Sequence, residues 1–187
     1  MGELMRIVGA PQRLAAVGNT ALDRVVATLP TYREPWECGL VRRPAAAAVL
    51  PYDLVQGVYL LVRQPRIGTL GELTLEAPAG VLDAPADDPQ ETAARELQEE
   101  LGLRAEHWWP VASAVHVSPG YTDERMSLFL CEGLSPVPAR PLDAYISPVR
   151  FPLAGLAAHL VEYGRAPDAD LKTLALLQAL QIRVFTG

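Results

Sequence analysis

Apolar and polar positions along this chain follow two periods, and the change from one to the other marks out its elements. Residues 57–64 (GVYLLVRQ) are an apolar run of strand length, rich in Val, Tyr and Leu. Leu73 and Leu75 alternate with Thr74 and Glu76, which predicts a half-buried strand ending at Pro78. Over residues 89–101 the period becomes helical, and beyond it strand-like segments return at 110–117 and at 126–132, where Met126, Leu128 and Leu130 share one face. A strand near 146–151 and two C-terminal helices complete the pattern. Pro152 and Gly164 bracket the first of these helices, and Asp168 is expected to cap the second. The alanine run 45–48 leads into Val49 and Leu50 and predicts the start of a closely packed strand. Residues 1–44 are weakly patterned, with one strand expected at 25–29 and a turn-rich link at 30–35. Strands, one central helix, more strands and then helices imply a mixed α/β (α+β) layered fold.

A length of 187 residues with 50% hydrophobic side chains is enough for one packed domain. Only 6% are aromatic, so Ala, Val and Leu must build the core. The formal net charge of -6 argues against a nucleic-acid backbone as partner. It fits a protein that holds cations in a carboxylate cluster and meets an anionic small molecule through them. No apolar stretch approaches the roughly 20 residues that span a bilayer, so no membrane partner is expected. Cys38 and Cys131 are too few for a disulfide scaffold and lack metal-ligand spacing, so a reducing cytoplasm is the expected location.

The predicted helix 89–101 has a defined start and stop. Asp88, Pro89 and Glu91 supply an N-cap, a first-turn proline and a capping-box partner, and Gly102 stands where a left-handed C-terminal residue is wanted. Glu96, Glu99 and Glu100 are spaced i, i+3, i+4 and share a face. At roughly 100° per residue, Ala93, Ala94, Leu97 and Leu101 form an apolar stripe with Glu96 and Glu100 at its edge. A charge run usually means a solvated face, stabilised here by pairs such as Arg95 with Glu99. Crowding carboxylates beside an apolar stripe is nonetheless costly unless a cation compensates. Oxygen-only ligands at this density suit a hard ion such as Mg²⁺, for which Mn²⁺ can substitute.

Residues 80–103 (GVLDAPADDPQETAARELQEELGL) resemble the Nudix box: Gly, five residues, Glu, seven residues, then Arg-Glu-hydrophobic-X-Glu-Glu-X-Gly-hydrophobic. Arg95, Glu96, Leu97, Glu99, Glu100, Gly102 and Leu103 match its second half without a gap. The first half departs from it: Gly80 stands one residue further from Arg95, and Asp87 occupies the glutamate position. The flanking Glu76-Ala77-Pro78-Ala79-Gly80, Arg63-Gln64-Pro65-Arg66 and Ser118-Pro119-Gly120 resemble segments of ADP-ribose pyrophosphatases and related sugar-nucleotide hydrolases.

The resemblance implies the Nudix fold, a mixed β-sheet sandwiched between α-helices. Residues 44–187 would form that hydrolase domain, and residues 1–43 a small N-terminal β extension that serves as a dimerisation arm. Glu96 and Glu100 would bind Mg²⁺ directly with the Ala79 carbonyl, while Glu99 would bind or orient it through water. Arg95 would hold a helix carboxylate in place. Glu124, on a loop expected to be mobile, would be either the general base or a further ligand. Arg66 and Glu76 would contact phosphates or the terminal ribose, and Pro119, where the resembling group places its proline, would also bind substrate. Trp36 is plainly read as a surface or dimer-contact residue, and functionally as an adenine platform. His107, His116 and His159 show no ligand spacing.

The activity implied is Mg²⁺-dependent hydrolysis of a nucleoside diphosphate linked to another moiety, with ADP-ribose cleaved to AMP and ribose 5-phosphate. The alternatives are another sugar nucleotide, such as a UDP-sugar or GDP-mannose, and a non-catalytic nucleotide-sensing domain. A homodimer and a small nucleotide substrate are the expected partners.

Overall fold

The computed structural model describes residues 5–32, 34–137 and 145–186. The chain divides into two compact units, and Ala114–Arg125 groups with the N-terminal residues up to Ala45. Of the expected link at 30–35, Arg33 lies outside the described residues.

The N-terminal unit is a four-stranded antiparallel sheet of β1 (Arg6–Ile7), β2 (Gln12–Val17), β3 (Thr20–Thr28) and β4 (Trp36–Arg42), with β3 central. The sequence pattern predicted one strand here, because two features hide the alternation. In β3, Ala21, Asp23, Val25 and Ala27 are buried in strict alternation, so a charged residue stands in the apolar series. That charge is held by Arg13 and by Arg42 Nε at 2.8 Å. All of β2 is exposed, Val17 at 83%, so its apolar residues show no inside–outside period.

The larger unit is built on a mixed sheet. β5 (Ala46–Asp53) pairs parallel with β11 (Arg125–Glu132) and antiparallel with β6 (Val58–Pro65) and β8 (Ala79–Val81). β7 (Leu73–Glu76) and β13 (Ser147–Pro152) flank β6, and β10 (His107–His116) lies outside β11. A two-stranded ribbon joins β9 (Leu103–Arg104) to β12 (Ser135–Pro136). Among the described residues of the unit, the α-helices are α1 (Pro89–Leu101), α2 (Leu156–Tyr163) and α3 (Leu171–Thr186).

Burial explains why β5 reads as a continuous apolar run rather than an alternating one. Ala48, Leu50 and Tyr52 join one cluster with Leu156, Tyr163, Leu176, Leu177 and Leu180 of α2 and α3. Ala47 and Val49 point the other way and are also fully buried, and α1 packs on the same strand with Ala93 and Leu97 buried. Helices therefore cover both faces of the sheet. No helix among the described residues is long and apolar enough to cross a membrane.

Candidate active site

The central helix begins and ends as its sequence predicts. The Asp88 side chain accepts from the Gln90 N–H at 2.9 Å, Pro89 fills the first turn, and Gly102 adopts φ 66° with its N–H on the Gln98 carbonyl. What the pattern understated is the burial of the acids. Glu96 and Glu100 are buried along with Thr92, Ala93 and Leu97, whereas Leu101 is only half-buried. The covered face of α1 is thus rotated toward its glutamates.

Arg95 organises this face. Its Nη1 lies 2.8 Å from Glu96 Oε1 and 3.1 Å from Glu99 Oε2, and its Nη2 donates to the Val81 carbonyl at 3.2 Å. One guanidinium therefore ties the helix to the strand that opens the box. The approach is close: a Cβ on Gly80 would overlap the Glu96 carboxylate and force it to move. In the shifted first half of the box, the Asp87 carboxylate accepts from the Ala84 N–H at 2.7 Å and closes the loop ahead of the helix.

Glu100 differs from its neighbours. Its Oε2 is buried with no hydrogen-bond partner, and burial, followed by the charge of Glu96, pushes its carboxyl up to about 8. Burial likewise raises Glu96, against the opposing charge of Arg95. No group of three or more His, Cys, Asp or Glu side chains among the described residues is gathered as a ready metal site, since Glu96 and Glu99 are turned onto Arg95. The donor chemistry nonetheless fits a hard divalent cation. The acids offer only oxygen, one buried carboxylate oxygen lacks any partner, and a side chain at Gly80 would displace the Glu96 carboxylate.

A second cluster lies in the same unit and interacts electrostatically with Glu100. Glu76, at the end of β7, receives Arg66 Nε at 2.8 Å and Nη2 at 2.6 Å, the Thr74 hydroxyl, and Lys172 Nζ at 2.6 Å. Its carboxylate is almost fully enclosed, whereas 40% of the Arg66 side chain faces solvent. Of the two, Arg66 is the accessible side chain. Lys172 and its second partner Asp170 were not anticipated from the sequence. The available signal was that Lys172 is the only lysine in the chain. The N-cap of α3 also moves: the Asp170 side chain accepts from the Thr173 N–H at 2.7 Å, while Asp168 offers its carbonyl to Leu75.

Glu124, Pro119 and Trp36 belong to the N-terminal unit. The loop read from sequence as mobile is tied along its length to the end of β4. The Val41 N–H donates to the Tyr121 carbonyl at 2.8 Å, the Val41 carbonyl accepts the Thr122 hydroxyl at 2.9 Å, and Arg42 Nη1 meets Asp123 Oδ2 at 2.8 Å. Pro119 sits in a turn closed by the Tyr121 N–H on the Ser118 carbonyl. The Glu124 N–H rests on the Thr122 hydroxyl, and its carboxylate lies 3.7 Å from Arg43 Nε. Trp36 packs against Tyr32 with ring centroids 5.7 Å apart. The structure thus gathers Ala79, Arg95, Glu96, Glu99, Glu100, Arg66 and Glu76 in the larger unit.

Comparison with known proteins decides the family, since the NUDIX domain model matches residues 41–172. The chain belongs to the NUDIX family. It is 34% identical over 147 residues to an ADP-ribose pyrophosphatase of Bacillus subtilis (strain 168), covering 77% of this chain and 76% of that protein. It is 44% identical over 69 residues to an ADP-ribose pyrophosphatase of Mycobacterium tuberculosis, a match that spans 37% of this chain and 33% of the relative. Among solved structures, a crystal structure of an ADP compounds hydrolase superposes with a TM-score of 0.75 at 22% identity, over 97% of this chain and 96% of that one, and shares the fold. Within the family this Nudix protein is of the ADP-ribose-pyrophosphatase-like hydrolase type. Such enzymes generally use divalent metal ions, which agrees with the oxygen donors on α1.

Proposed function

We propose that this Nudix protein hydrolyses a nucleoside diphosphate linked to a second group, with ADP-ribose cleaved to AMP and ribose 5-phosphate in the presence of Mg²⁺. The observation that carries this reading is the buried Glu96–Glu100 pair on α1, one oxygen of which has no protein partner. An unpaired buried carboxylate is destabilising unless a ligand uses it.

Glu96, Glu100 and the Ala79 carbonyl would hold the cation, with Glu99 binding or orienting through water and Mn²⁺ able to replace Mg²⁺. When bound, the cation offsets the charge of the diphosphate and makes water more acidic. The remaining work falls to the side chains. Arg95 keeps Glu96 and Glu99 oriented through its contacts with both. Arg66 binds a diphosphate oxygen with its solvent-facing edge, and Glu76 fixes the guanidinium from behind. Glu124 accepts the proton as water attacks phosphorus: one P–O bond forms, the anhydride P–O bond breaks, and the leaving phosphate departs opposite.

The N-terminal unit is read as a dimerisation arm. Leu14, Val17, Leu22 and Ile7 are exposed on the strands of the sheet, and Met5 and Val8 are exposed beside β1. A second copy of this chain would cover them and bring Trp36 toward the nucleobase. Phosphate release from a panel of nucleoside diphosphate compounds, coupled to a phosphatase with and without chelator, tests the function. ADP-ribose should be cleaved fastest, and only with Mg²⁺ or Mn²⁺. Preference for a UDP-sugar or GDP-mannose would move the substrate, and tight binding without turnover would make the protein a sensor.

A further inference from the structure

The start of α3 clamps the strand that leads into the box. The Leu75 N–H donates to the Asp168 carbonyl at 3.1 Å, the Tyr163 hydroxyl donates to the Leu75 carbonyl at 2.6 Å, and the Ala77 N–H donates to the Thr173 hydroxyl at 2.7 Å. Between these bonds Lys172 reaches in to Glu76 Oε2, with its other contact on Asp170. Lys172 is the only lysine in the chain, and its other permanently charged cations are arginines. Its place suits an ammonium. Two carboxylates on different elements must be bridged by a compact charge, whereas a guanidinium fork would engage one of them side-on.

The consequence lies on Arg66. Glu76 gives Oε1 to Arg66 Nε and divides Oε2 between Arg66 Nη2 and Lys172. With Lys172 present, the glutamate charge is offset by two cations, and the field around the accessible Arg66 side chain is more positive. Without it, Glu76 is balanced by Arg66 alone, and the cluster, one positive charge poorer, attracts an anion less. We infer that Lys172 is a positioning residue for diphosphate binding, acting through Glu76 to offset its negative charge beside Arg66 and to keep the guanidinium aimed. This rests on the reading of Arg66 as a diphosphate ligand.

The test is Lys172→Met in the full-length protein. KM for ADP-ribose should rise about tenfold while kcat stays within about threefold, the mark of lost binding rather than lost chemistry. Lys172→Arg, which restores the charge but not the compact bridge between the two carboxylates, should recover only part of that loss. Inorganic pyrophosphate, titrated calorimetrically in Mg²⁺, should weaken by the same factor, and this arm stands even if wild type proves inactive on ADP-ribose, an outcome that would sink the substrate reading alone. Selective ¹⁵N labelling of lysine gives a single side-chain resonance, which should shift on pyrophosphate addition.

Asp170→Asn gives an independent arm should Lys172→Met fail to fold. It withdraws the competing carboxylate, turns Lys172 wholly onto Glu76 and should lower KM about twofold. A folded Lys172→Met with unchanged KM and pyrophosphate affinity overturns the inference. So does a fall in kcat alone, a lysine resonance indifferent to pyrophosphate, or an Asp170→Asn whose KM is unchanged or raised.

Discussion

Replacing Glu76 with Gln tests whether the charge under Arg66 holds the larger unit together. The side chain is 3% exposed, so solvent screening discounts little. Burial alone would lift its carboxyl, but the Arg66 hydrogen bonds, the charge and bond of Lys172 and the Thr74 hydroxyl outweigh that and hold it at about 2, against an ordinary 4.5. Gln resembles the protonated acid, so the substitution removes what ionisation contributes. At 1.36 kcal/mol per unit, that contribution is roughly 3 kcal/mol at pH 7. The pKa is depressed on folding, so the stabilisation is complete above pH 4.5 and drains away as pH falls toward 2. Urea unfolding of wild type and Glu76→Gln should show a gap of about 3 kcal/mol at pH 7, shrinking to about 1 kcal/mol at pH 3. A gap below about 0.5 kcal/mol at neutral pH, or one of equal size at both, would refute the reasoning.

Four further outcomes are expected. Glu96→Gln and Glu100→Gln should each lose most activity, yet melt at or above the wild-type temperature in chelator, because either change relieves the repulsion between the two buried carboxylates; unfolding of either variant under those conditions would mark the acids as structural. Gly80→Ala should displace the Glu96 carboxylate and cut turnover by about tenfold or more while costing roughly 1 kcal/mol of stability, read by parallel kinetics and calorimetry. Glu124→Gln should lower kcat by a factor of about 10² or more at unchanged fold, and near-normal turnover would shift the base to a helix glutamate. Deleting residues 1–40 should yield a monomer with a raised KM in sedimentation and steady-state assays, and a truncated chain that stays dimeric with unchanged KM would acquit the arm of both tasks.

Local signals carried much of this protein. Asp88, Pro89 and Gly102 mark the ends of α1 because caps are local chemistry, settled within a few residues of the helix terminus. The spacing of Glu96, Glu99 and Glu100 placed the acids on one face for the same reason, and the ungapped second half of the box pointed to the family that comparison then established. Strands β6 and β11 were legible because runs such as YLLV and LFLC have few ways to hide from water except inside a sheet.

Tertiary structure decided what depends on partners far away in sequence. No period shows that Glu96 and Glu100 turn inward while Leu101 stays half-exposed, since that rotation is set by how α1 seats on β5 and β8. The N-terminal sheet escaped notice because its buried series contains Asp23, whose guanidinium partners stand ten and nineteen residues away. Lys172 lies 96 residues from Glu76, and only the packing of α3 against the end of β7 brings the ammonium to the carboxylate. Periodicity tells which face of an element avoids water, whereas the pairing of buried charges is a property of the closed fold.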